Sequence, residues 1–184
     1  MNGPYTPGLN YSTQWLQKVL WSLIIVGLAW VGAVPAGADP QVGQPAPNFS
    51  LPSTEGKKLK LQDFEGKWLV LYFYPEDFTS GCTIQARRFQ EDLPTYQKLK
   101  TQVVGVSQDS LDSHTSFCNS EGLKFPLLSD STGLTQQAYG APSGARNTYI
   151  IDPKGVLRRA FIRVNPLRNS EEVLVALKQL QAAG

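Results

Sequence analysis

Two cysteines, Cys82 and Cys118, are the residues of this chain best suited to covalent chemistry. A thiol attacks as its thiolate, so the surroundings of each cysteine determine what it can do. Cys82 follows an apolar, aromatic run that Pro75 stops, and a helical pattern begins directly after it. A helix N-terminus offers unpaired N–H groups and a partial positive charge, and both favour a thiolate. The sequence therefore predicts an activated thiol at Cys82.

Thr79 and Pro75 lie in the loop between that run and Cys82. The Thr79 hydroxyl can reach back to the sulfur or to an oxygen of a bound substrate. Pro75 ends the strand and narrows the loop, which shields the thiol from bulk water. We therefore predict that both residues belong to the site.

A strand before Cys82 and a helix after it must hold the thiol in place. The run from Trp68 to Tyr74 fits a central strand that is buried on both faces. Pro94 falls inside the following helical pattern and is expected to kink or break the helix. In that pattern, apolar residues recur at steps of three and four positions: Ala86, Phe89, Leu93, Tyr96 and Leu99.

The next part of the chain repeats the order of strand and helix. The run from Val103 to Ser107 is typical of a second buried strand. Ser110 or Ser113 would cap a helix that runs to about Glu121, and Gly122 would end it.

The C-terminal part predicts a strand pair and a last helix. Asn147–Ile151 and Val156–Val164 flank a sequence with strong turn chemistry, so these two strands should be antiparallel. Ser170–Ala183 is typical of an amphipathic helix. A right-handed crossover through the Cys82 helix makes the first two main strands parallel. The chain therefore predicts an α/β domain with a mixed central sheet flanked by helices, the thioredoxin-like fold.

Composition excludes several classes of function. Apolar residues make up 41% of the 184 residues and charged residues 17%, which is typical of a globular core. The net charge is +2 and no basic stripe is present, so a nucleic-acid partner is not expected. Two cysteines and His114 are too few ligands for a metal site, and we interpret His114 as an ordinary, partly exposed side chain. Sulfur chemistry also requires no haem or flavin cofactor.

The first 38 residues differ in composition from the rest. They contain no acidic residue, and Lys18 is their single basic one. An apolar stretch from Val19 to Val34 is followed by Ala36-Gly37-Ala38, a pattern of small residues that signal peptidase cleaves. We expect residues 1–38 to be a cleaved export signal or, alternatively, an uncleaved membrane anchor, and residues 39–184 to form the folded domain. A buried helix of that domain is the third alternative.

The segment around Cys82 resembles a known family signature. Pro75, Thr79 and Cys82 match the pattern Pro-x-x-x-Thr-x-x-Cys of the peroxiredoxins, and the segment is most similar to the bacterioferritin comigratory protein, or peroxiredoxin Q, branch. The likeness covers about Val42 to Leu180. It includes three later blocks: Gly105–Ser110, Phe125–Asp130 and Arg146–Asp152. The resemblance implies a thioredoxin-like fold and a thiol-dependent peroxidase that reduces hydrogen peroxide and organic hydroperoxides in antioxidant defence and redox homeostasis.

The resemblance also implies a role for each site residue. Cys82 would be the peroxidatic cysteine, which attacks the O–O bond and becomes a sulfenic acid. Thr79 would hydrogen-bond to the peroxide, and Pro75 would shape the pocket. Arg146 would favour the thiolate and stabilise the charge that develops along the breaking O–O bond. Gln85, one turn into the helix, is a weaker candidate.

Cys118 has more than one interpretation. Many members of the branch place a resolving cysteine five residues after the first, where this chain has Arg87. Cys118 instead resembles the resolving cysteine of a subgroup that carries it on the next helix and forms an intramolecular disulfide. Both helices would then have to unwind in part, because a disulfide requires Cα atoms within about 7 Å. The alternatives are a buried, apolar Cys118 in a one-cysteine enzyme and a permanent Cys82–Cys118 clasp in a protein without activity.

The family resemblance also implies the partners. Thioredoxin or a similar dithiol would supply electrons, no cofactor would be needed, and the protein would be a monomer. Export to a periplasm or a thylakoid-type lumen, or anchoring through residues 19–34, would separate the domain from the usual cytoplasmic reductants. We therefore expect a membrane-relayed or compartment-specific thiol donor.

Overall fold

The computed structural model describes residues 1, 3 and 40–183. The predicted export signal or anchor, with its apolar stretch at 19–34, lies outside the described residues except for its positions 1 and 3. In the described part of the chain, no helix combines the length and the apolar character needed to cross a bilayer. The elements below belong to one compact unit, Pro35–Gly184.

A mixed sheet of five strands lies at the centre of this described unit. In spatial order its strands are β5 (Leu127–Ser129), β4 (Thr101–Ser107), β3 (Trp68–Phe73), β6 (Asn147–Ile151) and β7 (Leu157–Phe161). β3 and β4 are parallel, as are β4 and β5, whereas β6 is antiparallel to both β3 and β7. A separate antiparallel hairpin is formed by β1 (Ser50–Pro52) and β2 (Lys58–Lys60). The predicted mixed sheet and both predicted strand pairings are confirmed.

Helices cover the sheet. Those in the described residues are α1 (Ser80–Lys98), α2 (Leu111–Glu121), α3 (Leu134–Ala138) and α4 (Asn169–Ala182), with a 3₁₀ turn at Leu61–Phe64. Side chains of α1, α2 and α4 join one apolar cluster, whereas the 3₁₀ turn contributes to another. The predicted arrangement of a mixed sheet flanked by helices is therefore confirmed.

The central strand β3 explains why two apolar clusters form. Val70 and Tyr72 belong to the cluster with α1, α2 and α4, whereas Leu69, Leu71 and Phe73 belong to the other cluster. Side chains of a strand alternate between its faces, so a strand that is covered on both faces must be apolar throughout. This accounts for the continuous apolar run in the sequence.

Of the two outcomes expected at Pro94, a kink or a break of the first helix, the break does not occur. α1 continues through Pro94 to Lys98. Leu93 and Tyr96 on either side of the proline are buried in the same apolar cluster, and the Tyr96 hydroxyl donates to the Ser170 carbonyl at 2.9 Å. Packing on both sides of the proline offsets the one backbone hydrogen bond that proline cannot make.

The predicted ends of α2 are confirmed, whereas the predicted end of the last strand is not. Ser110 caps α2 by accepting a hydrogen bond from the Ser113 amide at 3.2 Å, and Gly122 ends that helix with φ 65°. β7 ends at Phe161, earlier than predicted, and Arg163 then adopts φ 55°, which is incompatible with an extended strand. Three short elements were not predicted from the sequence: β1 and β5, which are three residues long, and α3, which is five.

Candidate active site

Cys82 lies in the first turn of α1, beyond the carboxyl end of the central strand. β3 ends at Phe73, a loop extends to Thr79, and α1 begins at Ser80. Only 1% of the Cys82 surface is exposed. The thiol therefore belongs to the turn in which the helix presents its unpaired N–H groups and its partial positive charge.

Arg146 brings a cation to the sulfur of Cys82. Its Nη2 donates to the Cys82 Sγ at 3.3 Å. Arg146 directly precedes β6, and the first residue of β6, Asn147, pairs with Phe73 at the end of β3. The antiparallel register thus brings the arginine to the cysteine. Because a nearby cation favours the charged form of a thiol, this contact stabilises the thiolate.

Gly81 leaves room for the guanidinium. A Cβ at this position would lie 3.2 Å from Arg146 Nη2 and 3.8 Å from a ring carbon of Pro166. A larger residue would therefore press on the arginine that contacts the sulfur. Sequence reasoning did not assign this role, and its one signal was a glycine directly before the reactive cysteine.

Gln85 accepts a hydrogen bond from the second terminal nitrogen, Nη1, of the Arg146 guanidinium. The side chain is fully buried, and its Oε1 accepts from Arg146 Nη1 at 2.6 Å. Its Nε2 donates to Asn169 Oδ1 at 2.8 Å, and the Thr148 hydroxyl donates to the same oxygen at 2.8 Å. These bonds connect the arginine to β6 and to the start of α4. Sequence reasoning missed Asn169 and Thr148, since the contacts join distant parts of the chain.

Thr79 and Pro75 lie in the loop before α1. The Thr79 hydroxyl donates to the Glu76 carbonyl at 3.0 Å, so in this geometry it does not donate to the Cys82 sulfur. Its oxygen lone pairs remain available to accept a hydrogen bond from a substrate. Pro75 is half-buried beside the end of β3.

A buried carboxylate, Asp77, lies in the same loop and was missed by sequence reasoning. Asp77 Oδ1 accepts from the Tyr74 hydroxyl at 2.8 Å, and its Oδ2 accepts from the Ser113 hydroxyl at 2.7 Å. The Asp77 amide donates to Asp109 Oδ2 at 2.9 Å. Ser113 belongs to α2 and Asp109 to the segment just before it. The network therefore joins the loop to the helix that carries Cys118.

His114 completes this network, and the expectation that it is partly exposed is wrong. The side chain is fully buried, with Nδ1 2.9 Å from Asp77 Oδ2 and Nε2 3.1 Å from the Leu128 carbonyl. Asp77 Oδ2 and the Leu128 carbonyl can both accept hydrogen bonds from the ring, and the Tyr74 hydroxyl lies 3.3 Å from the same Nδ1. His114 lies three residues before Phe117, which places both side chains on the buried face of α2.

The charge of Asp77 depends on these partners. Burial by itself raises the pKa of a carboxyl group. Here the hydrogen bonds from His114, Ser113 and Tyr74, together with the His114 charge, outweigh burial and hold the pKa of Asp77 below its ordinary value of 3.8. Asp77 is therefore ionised at neutral pH.

Cys118 lies in the last turn of α2 and is half-buried. Burial raises the pKa of Cys118 to about 11; the Thr54 side chain acts against this shift, and the Asp77 charge adds to it. Cys118 is therefore a neutral thiol at pH 7. Both cysteines are free thiols in this structure.

Phe78 makes a second contact between the loop and α2. Its backbone has φ 61°, a left-handed conformation that costs a bulky residue about 1 kcal/mol or more. Its half-exposed ring packs edge to face against Phe117, with ring centroids 5.2 Å apart. Since Phe117 directly precedes Cys118, the loop before Cys82 and the end of α2 are packed together.

Comparisons with known proteins place the chain among peroxidases. The AhpC/TSA family model matches residues 42–160. The chain is 38% identical over 145 residues to a chloroplastic peroxiredoxin Q of Triticum aestivum, and 38% identical over 157 residues to a mitochondrial thioredoxin-dependent peroxide reductase of Drosophila melanogaster. These matches cover 76% and 77% of this chain, and 66% and 67% of the two relatives. The chain thus spans about two thirds of the length of these curated relatives.

Solved structures agree with this placement. A bacterioferritin comigratory protein of Xanthomonas campestris, studied for its alkyl peroxide reduction activity, has a TM-score of 0.69 and 32% identity, covering 71% of this chain and 90% of that one. Two cysteine-to-serine mutants of Xanthomonas campestris peroxiredoxin Q have TM-scores of 0.71 and 0.72, each with 32% identity over 77% of this chain and 98% and 99% of theirs. The chain therefore belongs to the AhpC/TSA family, in the peroxiredoxin Q and bacterioferritin comigratory protein branch of the peroxiredoxins.

Proposed function

We propose that this thiol peroxidase reduces hydrogen peroxide and organic hydroperoxides by attack of the Cys82 thiolate. The observation that carries the proposal is the 3.3 Å contact between Arg146 Nη2 and the Cys82 Sγ in the first turn of a helix. A cation and a helix N-terminus together favour the nucleophilic form of the sulfur.

The chemical step requires a bound peroxide between Cys82, Thr79 and Arg146. The thiolate attacks the terminal peroxide oxygen, an S–O bond forms and the O–O bond breaks. Cys82 becomes a sulfenic acid, and the departing oxygen takes up a proton to become an alcohol or, from hydrogen peroxide, water. Arg146 stabilises the negative charge on the departing oxygen. Thr79, whose own hydrogen is donated to Glu76, accepts the hydrogen bond that orients the peroxide.

Pro75 and Gln85 act on this step indirectly. Pro75 ends the strand beside the site and limits the access of water to it. Gln85 holds the guanidinium through the 2.6 Å bond from Arg146 Nη1. A guanidinium held at both branches keeps its direction towards the sulfur as charge develops, which is the basis of electrostatic preorganisation.

Cys118 then resolves the sulfenic acid as an intramolecular disulfide. The two cysteines replaced in the Xanthomonas campestris mutants are as far apart in sequence as Cys82 and Cys118 are here, which supports this role. Both sulfurs also belong to, or pack against, the same apolar cluster. Peptide mapping after addition of one equivalent of peroxide tests this step. A one-cysteine enzyme would leave Cys118 unlinked.

Thioredoxin or a similar dithiol is the proposed reductant. Support comes from the name of the Drosophila melanogaster relative, a thioredoxin-dependent peroxide reductase. We further propose that the protein is a monomer. Residues 1–38 are proposed to direct export or to anchor the domain, in line with the organelle location in the names of several relatives. A mature N-terminus at Asp39 in a soluble fraction would support cleavage, and an intact chain in the membrane fraction would support anchoring.

Peroxide turnover with a dithiol donor tests the proposed activity. Wild type should consume peroxide continuously, and Cys82→Ser should consume none. Cys118→Ser should complete one turnover and then stall with thioredoxin. Multiple turnovers by Cys82→Ser would overturn the assignment of the attacking residue. A disulfide present before any peroxide is added, and inert to dithiols, would instead indicate a structural clasp.

A further inference from the structure

Tyr72 carries a buried hydroxyl that the chemistry above does not use. The residue lies on β3 with 1% of its surface exposed, and its ring is stacked on Phe89 with centroids 4.7 Å apart. Among residues 40–183, the Tyr72 hydroxyl has no hydrogen-bond partner. A buried hydroxyl without a partner costs about 1–3 kcal/mol, so its retention calls for a physical reason.

The direction of this hydroxyl follows from the register of three strands. Tyr72 on β3 pairs with Gly105 on β4, and Gly105 pairs with Leu127 on β5. A Cβ on Gly105 would lie 2.8 Å from the Tyr72 Oη and 2.6 Å from a methyl carbon of Leu127. The ring therefore extends across the glycine towards β5. Any side chain at Gly105 would block it.

Cys118 is linked to Leu127 through Thr54. Thr54, whose side chain acts on the Cys118 thiol, is joined to Leu127 by two hydrogen bonds: Leu127 N donates to Thr54 Oγ1 at 3.2 Å, and Thr54 N donates to the Leu127 carbonyl at 3.1 Å. Cys118 and the Tyr72 hydroxyl are thus both connected to Leu127, the first through Thr54 and the second across Gly105. Cys82 belongs to the same apolar cluster as Tyr72 and Leu127, and Cys118 packs against it.

We propose that the Tyr72 hydroxyl donates a hydrogen bond to the Cys118 sulfur while that sulfur attacks the Cys82 sulfenic acid. This inference rests on the proposed resolving role of Cys118. The Cys118 thiol loses its proton, its sulfur bonds to the Cys82 sulfur, and the S–O bond breaks. The departing hydroxide takes up a proton, so the products are a disulfide and one water molecule. Tyr72 keeps its own proton throughout.

The need for such a donor comes from the resting state of Cys118. With its pKa raised to about 11 by burial, this thiol must be stabilised as a thiolate before it can attack. Burial also raises the pKa of Tyr72 well above 10, and the charges of Cys118, Cys82 and Asp77 act in the same direction. The phenol therefore remains a donor at every working pH. Its hydrogen bond is free to form because the hydroxyl has no other partner in the described residues.

The test compares Tyr72→Phe with wild type in a single turnover. Reduced protein is mixed with one equivalent of peroxide, quenched at intervals with an alkylating agent and mapped by mass spectrometry. Sulfenic acid formation at Cys82 should be unchanged, whereas disulfide formation should slow about 10-fold or more, because hydrogen bonds to charged groups are the strong ones. The longer-lived sulfenic acid should also capture more dimedone and be oxidised further to sulfinic acid.

Tyr96→Phe is the matched control. The Tyr96 hydroxyl lies in the same cluster but donates to the Ser170 carbonyl at 2.9 Å. Its removal should lower the melting temperature and leave the rate of disulfide formation unchanged. Tyr72→Phe should melt at or above the wild-type temperature, since it removes an unpaired polar group. Equal slowing of disulfide formation in both variants would reduce Tyr72 to a packing role and overturn the proposal.

The pH profile of disulfide formation gives a further readout. The titratable and charged groups that act on Tyr72 are Cys118, Cys82, Asp77 and Arg146, together with Tyr74, whose ring is stacked on it with centroids 5.4 Å apart. Burial raises the pKa of Cys118 to about 11, so the loss of its proton is the step that the Tyr72 hydroxyl would assist. Tyr72→Phe should shift the profile to higher pH; an unshifted profile at the wild-type rate contradicts the proposal. If wild type forms no Cys82–Cys118 disulfide at all, the resolving role fails first and this inference falls with it.

Discussion

Cys82 and Cys118 lie at opposite ends of their helices. Cys82 occupies the first turn of α1 and accepts a hydrogen bond from Arg146 at 3.3 Å, whereas Cys118 occupies the last turn of α2. A helix carries partial positive charge at its N-terminus and partial negative charge at its C-terminus, so one end favours a thiolate and the other disfavours it. Cys82 is the more deeply buried of the two thiols. We propose that helix polarity and the Arg146 guanidinium, rather than burial, decide which of the two sulfurs attacks the peroxide.

The sharpest test of this contrast uses single-cysteine variants. Cys118→Ser, which retains Cys82, should react with hydrogen peroxide at least about 1000-fold faster at pH 7 than Cys82→Ser, because thiolate content governs reactivity. With a pKa of about 11, the alkylation rate of Cys118 in Cys82→Ser should rise about tenfold per pH unit from pH 7 to 10. Stopped-flow peroxide reactions and iodoacetamide labelling measure the two rates. Similar peroxide rates for both variants would remove the contrast.

Removal of the Arg146 charge should abolish most of the difference in peroxide reactivity between Cys82 and Cys118. Arg146→Gln is expected to slow the reaction of Cys82 with peroxide about 100-fold. This is the usual effect of removing one hydrogen-bond donor to an oxygen that becomes negatively charged in the transition state. The measurement is the second-order rate constant in single turnover. Arg88→Gln is the control. Arg88 lies on α1, the helix that carries Cys82, and it is exposed and pairs with Glu91. A rate for Arg146→Gln that matches the control would leave the helix N-terminus as the sole source of activation.

Loosening the arginine should have a smaller effect than removing it. Gln85→Leu leaves Arg146 Nη1 without the acceptor at 2.6 Å and is expected to slow the peroxide reaction about 10-fold. Because Gln85 acts through the arginine, the same substitution in an Arg146→Gln background should cost little more. The double-mutant cycle of rate constants measures this coupling. Full additivity would mean that Gln85 affects the site by packing alone.

The hydrogen-bond network around Asp77, which joins the loop before Cys82 to α2, should affect the stability of the protein rather than the peroxide reaction. Asp77→Asn replaces a buried carboxylate that hydrogen-bonds to His114, Ser113 and Tyr74, and should lower the free energy of unfolding by about 1–3 kcal/mol at pH 7. Since the folded-state pKa of Asp77 lies below 3.8, its contribution is present above that pH and is lost as pH falls through the folded value. Urea unfolding between pH 7 and 3 measures both effects.

The control for this substitution is Asp112→Asn, an exposed carboxylate in the first turn of α2. Asp112→Asn should unfold close to wild type at pH 7 and keep the wild-type loss of stability in acid. Asp77→Asn should lose less stability than wild type on acidification, because part of that loss has already occurred. A wild-type acid slope in Asp77→Asn would show that the pair does not link the loop to α2 energetically.

The fold and the position of Cys82 at a helix N-terminus could be predicted because their signals are local. A continuous apolar run indicated β3, a three-and-four periodicity indicated α1, and the junction between them indicated Cys82. The contact with Arg146 depends instead on the register that pairs Phe73 with Asn147, and no local pattern fixes a register between distant strands. Only the family resemblance drew attention to that arginine.

The residues that sequence reasoning misjudged are buried polar groups. His114 was taken as partly exposed, although its spacing to Phe117 gave the signal for the buried face. Asp77 and Asn169 are polar residues whose partners come from distant elements, so their burial is decided by tertiary contacts. A composition or a periodicity cannot show whether a buried polar group will find its partner.

The most direct test of the central claim is a peptide map of wild-type protein after one equivalent of hydrogen peroxide. If Cys82 attacks the peroxide and Cys118 resolves the sulfenic acid, the map should show a Cys82–Cys118 linkage within one chain. Dimedone that is present when the peroxide is added should label Cys82 alone. A sulfenic acid trapped on Cys118 while Cys82 remains reduced would contradict the account.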